Sequence, residues 1–416
     1  AKGPLPARVL PGRAASGPSR GKGSPAGTGS DQPVWDVAAK HLQLQPIGRV
    51  ALASAANLLN AEQREALQAL QIQGRASDAY LRVAEHSDDQ TFYLHGAFSD
   101  VGFRPWRKLP GMSGLDGRIE ATSQAAMVQM SSARAQIEIP GLFREPLRFD
   151  RLAGDIVARK NEASWTVWSE QVQIGNDDIH ADGSFQLLIP QNGSSELDLA
   201  ANFRNGQATA TPRYLPVGVL PAATVAWLDR AIVAGNVPAG GVIFRGPLDQ
   251  FPFSRAQGRF EVRFAVEDGV LDYAARWPRL EQLFGEVVFS ERSMRILGRR
   301  ARILDATLSD VQVDIEELSA HRSILQVKGR GDGPAATGLA FLTTTPLADT
   351  VGQRLRGWKG DGPLSVDLEM RIPLRAGANN DVAGSIQFDG AELISDDAQV
   401  DVQDVRGTLH FGADGI

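Results

Sequence analysis

Alternation with a period of two, sustained over most of the chain, is the feature that most restricts its fold. Phe260, Val262, Phe264 and Val266 interleave with Glu261, Arg263 and Glu267. Val366, Leu368, Met370, Ile372 and Leu374 interleave with Asp367, Glu369 and Arg371. Val311, Val313 and Ile315 alternate with Gln312 and Asp314. Leu197, Leu199, Ala201 and Phe203 repeat the pattern, as do Val400 and Val402. This spacing puts every apolar side chain on one face of a sheet and every polar one on the other. Buried parallel strands are apolar on both faces, so the pattern argues against an α/β fold. Asn192-Gly193, Asp268-Gly269 and Asp389-Gly390 read as turns between runs, which suits antiparallel hairpins. The expected fold class is mainly β: an extended antiparallel sheet with a few short helices.

Helical spacing appears in three places. Leu52, Ala55, Ala56 and Leu59 form one stripe, and Asn60 stands as an N-cap before a second with Leu67 and Leu70. Residues Pro221 to Ala234 carry Leu228 and Ile232 on one face, with Gly235 just beyond. Ala336 to Leu355 is helical but broken at Thr345-Pro346, because proline removes a backbone donor. A repeat runs through the strands: Leu115-Asp116-Gly117-Arg118-Ile119, Leu152-Ala153-Gly154-Asp155-Ile156, Leu283-Phe284-Gly285-Glu286-Val287, and the variant Val405-Arg406-Gly407-Thr408-Leu409. Leu109-Pro110 and Trp277-Pro278 precede two copies at the same distance. The reading is a repeat-like array, helix then strands, along one axis. Its expected sections are a disordered Gly/Pro/Arg-rich segment (1–33), a first β-unit with N-terminal helices (34–210), a second (211–335) and a third, truncated (336–416).

Composition excludes several function classes. The net charge of −6 gives no reason to expect nucleic acid as a partner. The chain has no cysteine, so disulfides and thiolate metal sites are excluded. No apolar run reaches the roughly 18 residues of a membrane span, and the first residues lack the order of a signal peptide. The chain reads as a soluble fragment of something longer. Its six histidines, His41, His86, His95, His180, His321 and His410, have no metal-ligand spacing. Gly111-Met112-Ser113-Gly114 has the wrong order for a nucleophile elbow. The acid pairs Asp177-Asp178 and Asp396-Asp397 fall at turns, where Asp bonds locally; calcium is the lesser reading there. Trp165 and Trp168 suit sugar stacking or a lipid interface but more often serve as core or rim residues; with those acids they make a weaker third reading, a carbohydrate-binding or carbohydrate-processing β-protein. No catalytic residue, cofactor or metal is expected.

An amphipathic sheet must cover its apolar face. Three short helical segments cannot cover about twenty strands of about six residues each. Either the sheet packs on itself as a sandwich or solenoid, or it curls into a trough with something apolar inside. Periodicity alone favours the first.

Tyr214-Leu215-Pro216, Trp227-Leu228, Gly246, Phe251-Pro252-Phe253 and Trp277-Pro278 resemble the conserved-domain pattern of the YhdP/AsmA-like family of Gram-negative bacteria. Leu109-Pro110-Gly111 with Leu115 and Gly117, and Phe341-Leu342 with Thr345-Pro346-Leu347, resemble its earlier and later parts. The resemblance covers about Pro33 to Ile416 and leaves out the Gly/Pro-rich tail. It implies a long apolar β-groove of the bridge-like lipid-transfer type, held in the periplasm by an N-terminal membrane anchor absent from this chain. It implies phospholipid movement from the inner to the outer membrane, with outer-membrane or periplasmic proteins as further partners. Phospholipid acyl chains would then lie against Leu197, Leu199, Phe260, Val262, Phe264, Val266, Val311, Val313, Ile315, Val366, Leu368, Met370 and Ile372. The competing expectation is a structural or adhesive β-array with a closed, dry core.

Overall fold

Among the described residues, the alternating runs form one antiparallel sheet of 21 strands that does not close on itself. The structure, a computed structural model, describes residues 34–45, 61–86, 89–107, 109–253, 257–318, 323–349, 353, 356–374, 381–395 and 399–412. The expected first helix, with Leu52 and Leu59, and the acid pair Asp396-Asp397 lie outside the described residues. Each strand pairs with its neighbour in the chain. Ala125–Ser132 and Ala135–Glu138 form one broken line, as do Leu147–Phe149 with Arg151–Asn161 and Trp358–Asp361 with Pro363–Pro373. The topology is therefore an up-and-down meander.

Register carries one apolar face across the whole sheet. Directly opposed residues of an antiparallel pair point the same way. Val37 opposes Leu81, Leu81 opposes Leu94, and the row continues through Ala121, Ala126, Ala158, Val167 and Leu187 to Leu197. From that strand, Phe203 opens a second row through Gly240, Phe264, Val287, Ile296, Val313 and Val327 to Met370 and Val382. The opposite face carries cross-strand ion pairs. Arg82 meets Asp36 at 2.8 Å, Arg204 meets Asp182 at 2.8 Å, Arg263 meets Glu286 at 3.0 Å, and Lys328 meets Glu369 at 2.9 Å. These pairs are exposed, so each contributes little to stability. Their effect is on register, because a one-residue slip would turn charge onto the apolar face.

A line of irregularities crosses the strands near one rim. Asp78, Asp100, Asn205, Asp268, Gln282, Asp310 and Asp404 have positive φ between 48° and 56°. Pairing slips beside several of them, between Ser77 and Tyr80, Phe98 and Val101, Val266 and Gly269, and Ser309 and Gln312. Asp and Asn tolerate the left-handed conformation better than bulkier residues. A bulge bends its strand and increases its twist, so a row of bulges creases the sheet. Buried Leu115, Met130, Ala135 and Leu152 pack beside this line with Phe98, Val101, Ile156 and Val172. The apolar face is therefore on the inside of the crease. Asp268-Gly269 and Asp389-Gly390 do not separate strands, as expected, but lie inside Arg259–Leu271 and Asp381–Ser395. A bulge uses the same residue chemistry as a turn, and local sequence does not distinguish the two.

The repeated Leu-x-Gly-x-aliphatic motif gains a physical meaning here. Its first, third and fifth residues share the apolar face. A Cβ on Gly117, Gly154 or Gly285 would lie 2.1, 2.5 or 2.6 Å from a carbonyl oxygen of the next strand. Gly407, in the edge strand Val400–Phe411, has no atom within 4 Å of that position.

The rims differ. The helices Ala61–Leu70, Thr211–Tyr214, Ala222–Ala231 and Ala335–Thr344 all join strands at the creased rim. The third is shorter than expected: Ile232 and Gly235 belong to the following strand, Ile232–Pro247. The fourth ends at Thr344, followed by a 3-10 turn over Pro346–Asp349. The opposite rim has two-residue turns at 123–124, 162–163 and 291–292.

The crease yields a paired prediction. Gly154→Ala combines φ of +152° with a backbone clash, whereas Gly407→Ala, at φ of +144°, meets only the conformational cost. Chemical denaturation should give a loss of about 2–4 kcal/mol for the first and about 1 kcal/mol for the second. Equal losses would remove strand crossing as the reason for the motif.

Candidate functional site

Burial separates a trough lining from an interlocked core. Of the thirteen expected lining residues, twelve are half-buried: Leu197, Leu199, Phe260, Val262, Phe264, Val266, Val311, Val313, Val366, Leu368, Met370 and Ile372. Ile315 is buried, at 7% exposure. Register places them on the same face, which also holds Phe244, Phe289 and Val327. Phe264 stands between Phe203 and Phe289, its ring centroid 6.5 Å from each. At the sheet's first edge the face is barer still, and Trp35 is 65% exposed. The fully buried apolar set among the described residues consists largely of alanines and the small cluster at the crease. Neighbouring strands shield these side chains laterally, and twelve of the thirteen keep part of their surface accessible.

The creased rim is laced by specific contacts. Asn176 Nδ2 donates to Arg148 O at 2.6 Å and to Tyr214 Oη at 2.8 Å. Asp178 accepts from Arg213 and from Tyr214 Oη. Gly218 N–H donates to Leu142 O at 3.1 Å, and Arg144 bonds Asp229 at 2.6 Å. Trp227 Nε1 donates to Tyr273 O at 2.8 Å. Tyr273 packs against Trp277, and Trp277 packs against Phe341 at 5.4 Å. Connections separated by several strands are thus tied into one rim. The Ala335–Thr344 helix leans onto the apolar face, where a Cβ at Gly338 would lie 3.1 Å from Leu364.

Tyr214, Trp227, Trp277 and Phe341 of the family pattern build this rim and are not lining residues. The asymmetry has a physical cause: a lining position accepts any apolar side chain, but a rim contact requires a particular donor or ring. Spacing alone did not reveal these contacts, since the hydrogen-bond partners of Tyr214 and Trp227 lie 36 to 46 residues away. Large aromatic residues in predicted connections were the available signal.

The other candidates are kept apart. Trp165 opposes Ile189 on the apolar face, while Trp168 opposes Gln186 on the polar face beside Arg159. The two indoles share no platform, which corrects the carbohydrate reading. Asn176 Oδ1 caps the backbone N–H of Asp178 and Ile179, so Asp177-Asp178 is a turn tied to the rim. No group of three or more His, Asp or Glu among the described residues is placed to hold a metal ion. No helix among them is long and apolar enough to cross a membrane.

Fold and lining together define a class: single-layer antiparallel β-troughs with a continuous, incompletely covered apolar face. The chain belongs to the family described as YhdP protein, which matches residues 21–416. The match begins inside the Gly/Pro-rich stretch, which the motif comparison left out. The intermembrane phospholipid transporter YhdP of Escherichia coli (strain K12) is 22% identical over 301 residues, covering 72% of this chain and 24% of that protein. The chain thus spans about a quarter of the length of the curated relative it matches. No solved structure matches it.

Burial pushes the Tyr273 phenol up to about 12. A raised folded-state value stabilises the fold below the unfolded value of about 10 and is lost as pH rises toward 12. Tyr273→Phe should therefore leave neutral stability nearly unchanged and flatten the loss between about pH 10 and 12. Alkaline circular dichroism melts check this, and an unchanged alkaline limb would count against a buried phenol at the rim.

Proposed function

We propose that this chain is a section of a lipid-transfer conduit, its trough holding phospholipid acyl chains while headgroups remain in water. The observation that carries the reading is the half-buried apolar face linked by register from the first strand to the last. Removing a two-tailed lipid of roughly thirty methylenes from a bilayer into water costs on the order of 20 kcal/mol, at about 0.8 kcal/mol per methylene. A continuous apolar lining removes most of that barrier and requires no side chain to recognise the tails. This accounts for alternating positions that vary freely among Val, Leu, Ile, Met and Phe. Membership of the YhdP family and the printed function of the Escherichia coli relative support phospholipid as cargo.

In the same reading, the full-length protein is anchored at the inner membrane and crosses the periplasm toward the outer membrane. The lining comprises the thirteen residues named above. The chain acts by binding and guiding, without catalysis. A closed, dry array would bury these side chains against one another, and their partial exposure favours the trough.

Placing a charge on the lining tests this. Phe264→Asp and Leu368→Asp should each lower phospholipid capture from vesicles at least tenfold, by native mass spectrometry of the folded protein, because an unpaired carboxylate is expelled from an apolar site. Asp367→Asn, on the polar face, should leave capture unchanged. Unchanged capture in both lining variants, with circular dichroism intact, would sink the conduit reading.

A further inference from the structure

One connection on the rim opposite the helices turns inward. Residues 248–253, which follow Ile232–Pro247 and precede Arg259–Leu271, carry Phe251-Pro252-Phe253. Phe253 is 2% exposed. Its ring lies against the lining: 5.4 Å from Phe244, while Phe251 is 5.0 Å from Phe260. Glycines make the seat. A Cβ at Gly246 or Gly258 would lie 3.0 or 2.5 Å from the Phe253 ring. Leu248 N–H donates to Ser195 O at 2.9 Å and Ser194 Oγ bonds Asp249 at 2.5 Å, so the base of this tongue is tied to the neighbouring connection. At the other end of the same strands, Asp272 N–H donates to Ala231 O at 2.8 Å, and Trp227 meets Tyr273. The pair is therefore flanked at both rims. Between the flanks, the lining of Arg259–Leu271 runs from Val262 to Val266, about 14 Å at about 3.4 Å per residue. Phe264, with Phe203 and Phe289 beside it, stands in the middle of that width.

We propose that the Phe251-Pro252-Phe253 tongue is a selectivity element: it narrows the trough at this strand pair so that straight acyl tails pass and methyl-branched tails are held back. The inference rests on the conduit reading above and adds a specificity-determining site to it. Bulk is the property discriminated, because the rings offer neither charge nor hydrogen bonds to a tail.

The test offers the folded chain vesicles of equal parts dipalmitoyl- and diphytanoyl-phosphatidylethanolamine and reads the captured ratio by native mass spectrometry. Phe251→Ala should raise the branched-to-straight ratio at least about threefold, and Phe251→Trp should lower it, as expected when pocket size alone discriminates. Phe253→Leu keeps an apolar residue on the glycine seat and should shift the ratio in the same direction as Phe251→Ala. Lipid capture with an unchanged ratio in all three variants overturns the selectivity element alone. Absence of either lipid from every protein, wild type included, overturns the conduit reading and this one with it.

Discussion

The structure depends on an excess of apolar sheet surface over the protein available to cover it. Alternation gives each strand one apolar edge, and the meander joins those edges into a single face. Such a face is ordinarily sealed by a second layer. Among the described residues the helices are few and short, and they gather at one rim. The sheet responds by creasing, so that its apolar side becomes an interior without becoming a packed core. Half-burial of residues such as Phe264 and Met370 is the direct consequence.

The crease explains two sequence features that look unrelated. Asp and Asn at positive φ mark the bulges, and the glycine of Leu-x-Gly-x-aliphatic sits where the next strand's carbonyl crosses the apolar face. Both solve the problem of bending a long sheet without breaking its hydrogen-bond ladder. The rim then fixes the bend. Bonds such as Gly218 to Leu142 and Arg144 to Asp229 connect strand ends that do not neighbour each other in the sheet. Their individual contributions are modest, about 1 kcal/mol each, but they restrict how far the two walls can splay.

Work is divided between lining and rim. The lining asks only for apolar side chains at alternate positions and so leaves a faint signature. The rim asks for indoles, phenols and short connections in particular places and so carries the recognisable pattern. Phe251 and Phe253 belong to neither group alone, since they arise in a connection and end against the lining. This explains why the family pattern was legible while the proposed site residues could be named only by period.

The shared face of each alternating run named above was legible in the sequence alone, because period two leaves one choice of side once a single residue is placed. The helix that carries Leu67 and Leu70 and the break at Thr345-Pro346 were equally legible. Tertiary structure decided what closes over that face. Asp268-Gly269 became a bulge and not a turn, Trp165 and Trp168 fell on opposite faces, and the Phe251-Pro252-Phe253 connection folded inward. Each outcome depends on which strand ends meet across the sheet, and those meetings are set by curvature summed over many strands. Periodicity records the direction of a side chain but carries no record of curvature, so the choice between sandwich and trough lay beyond it.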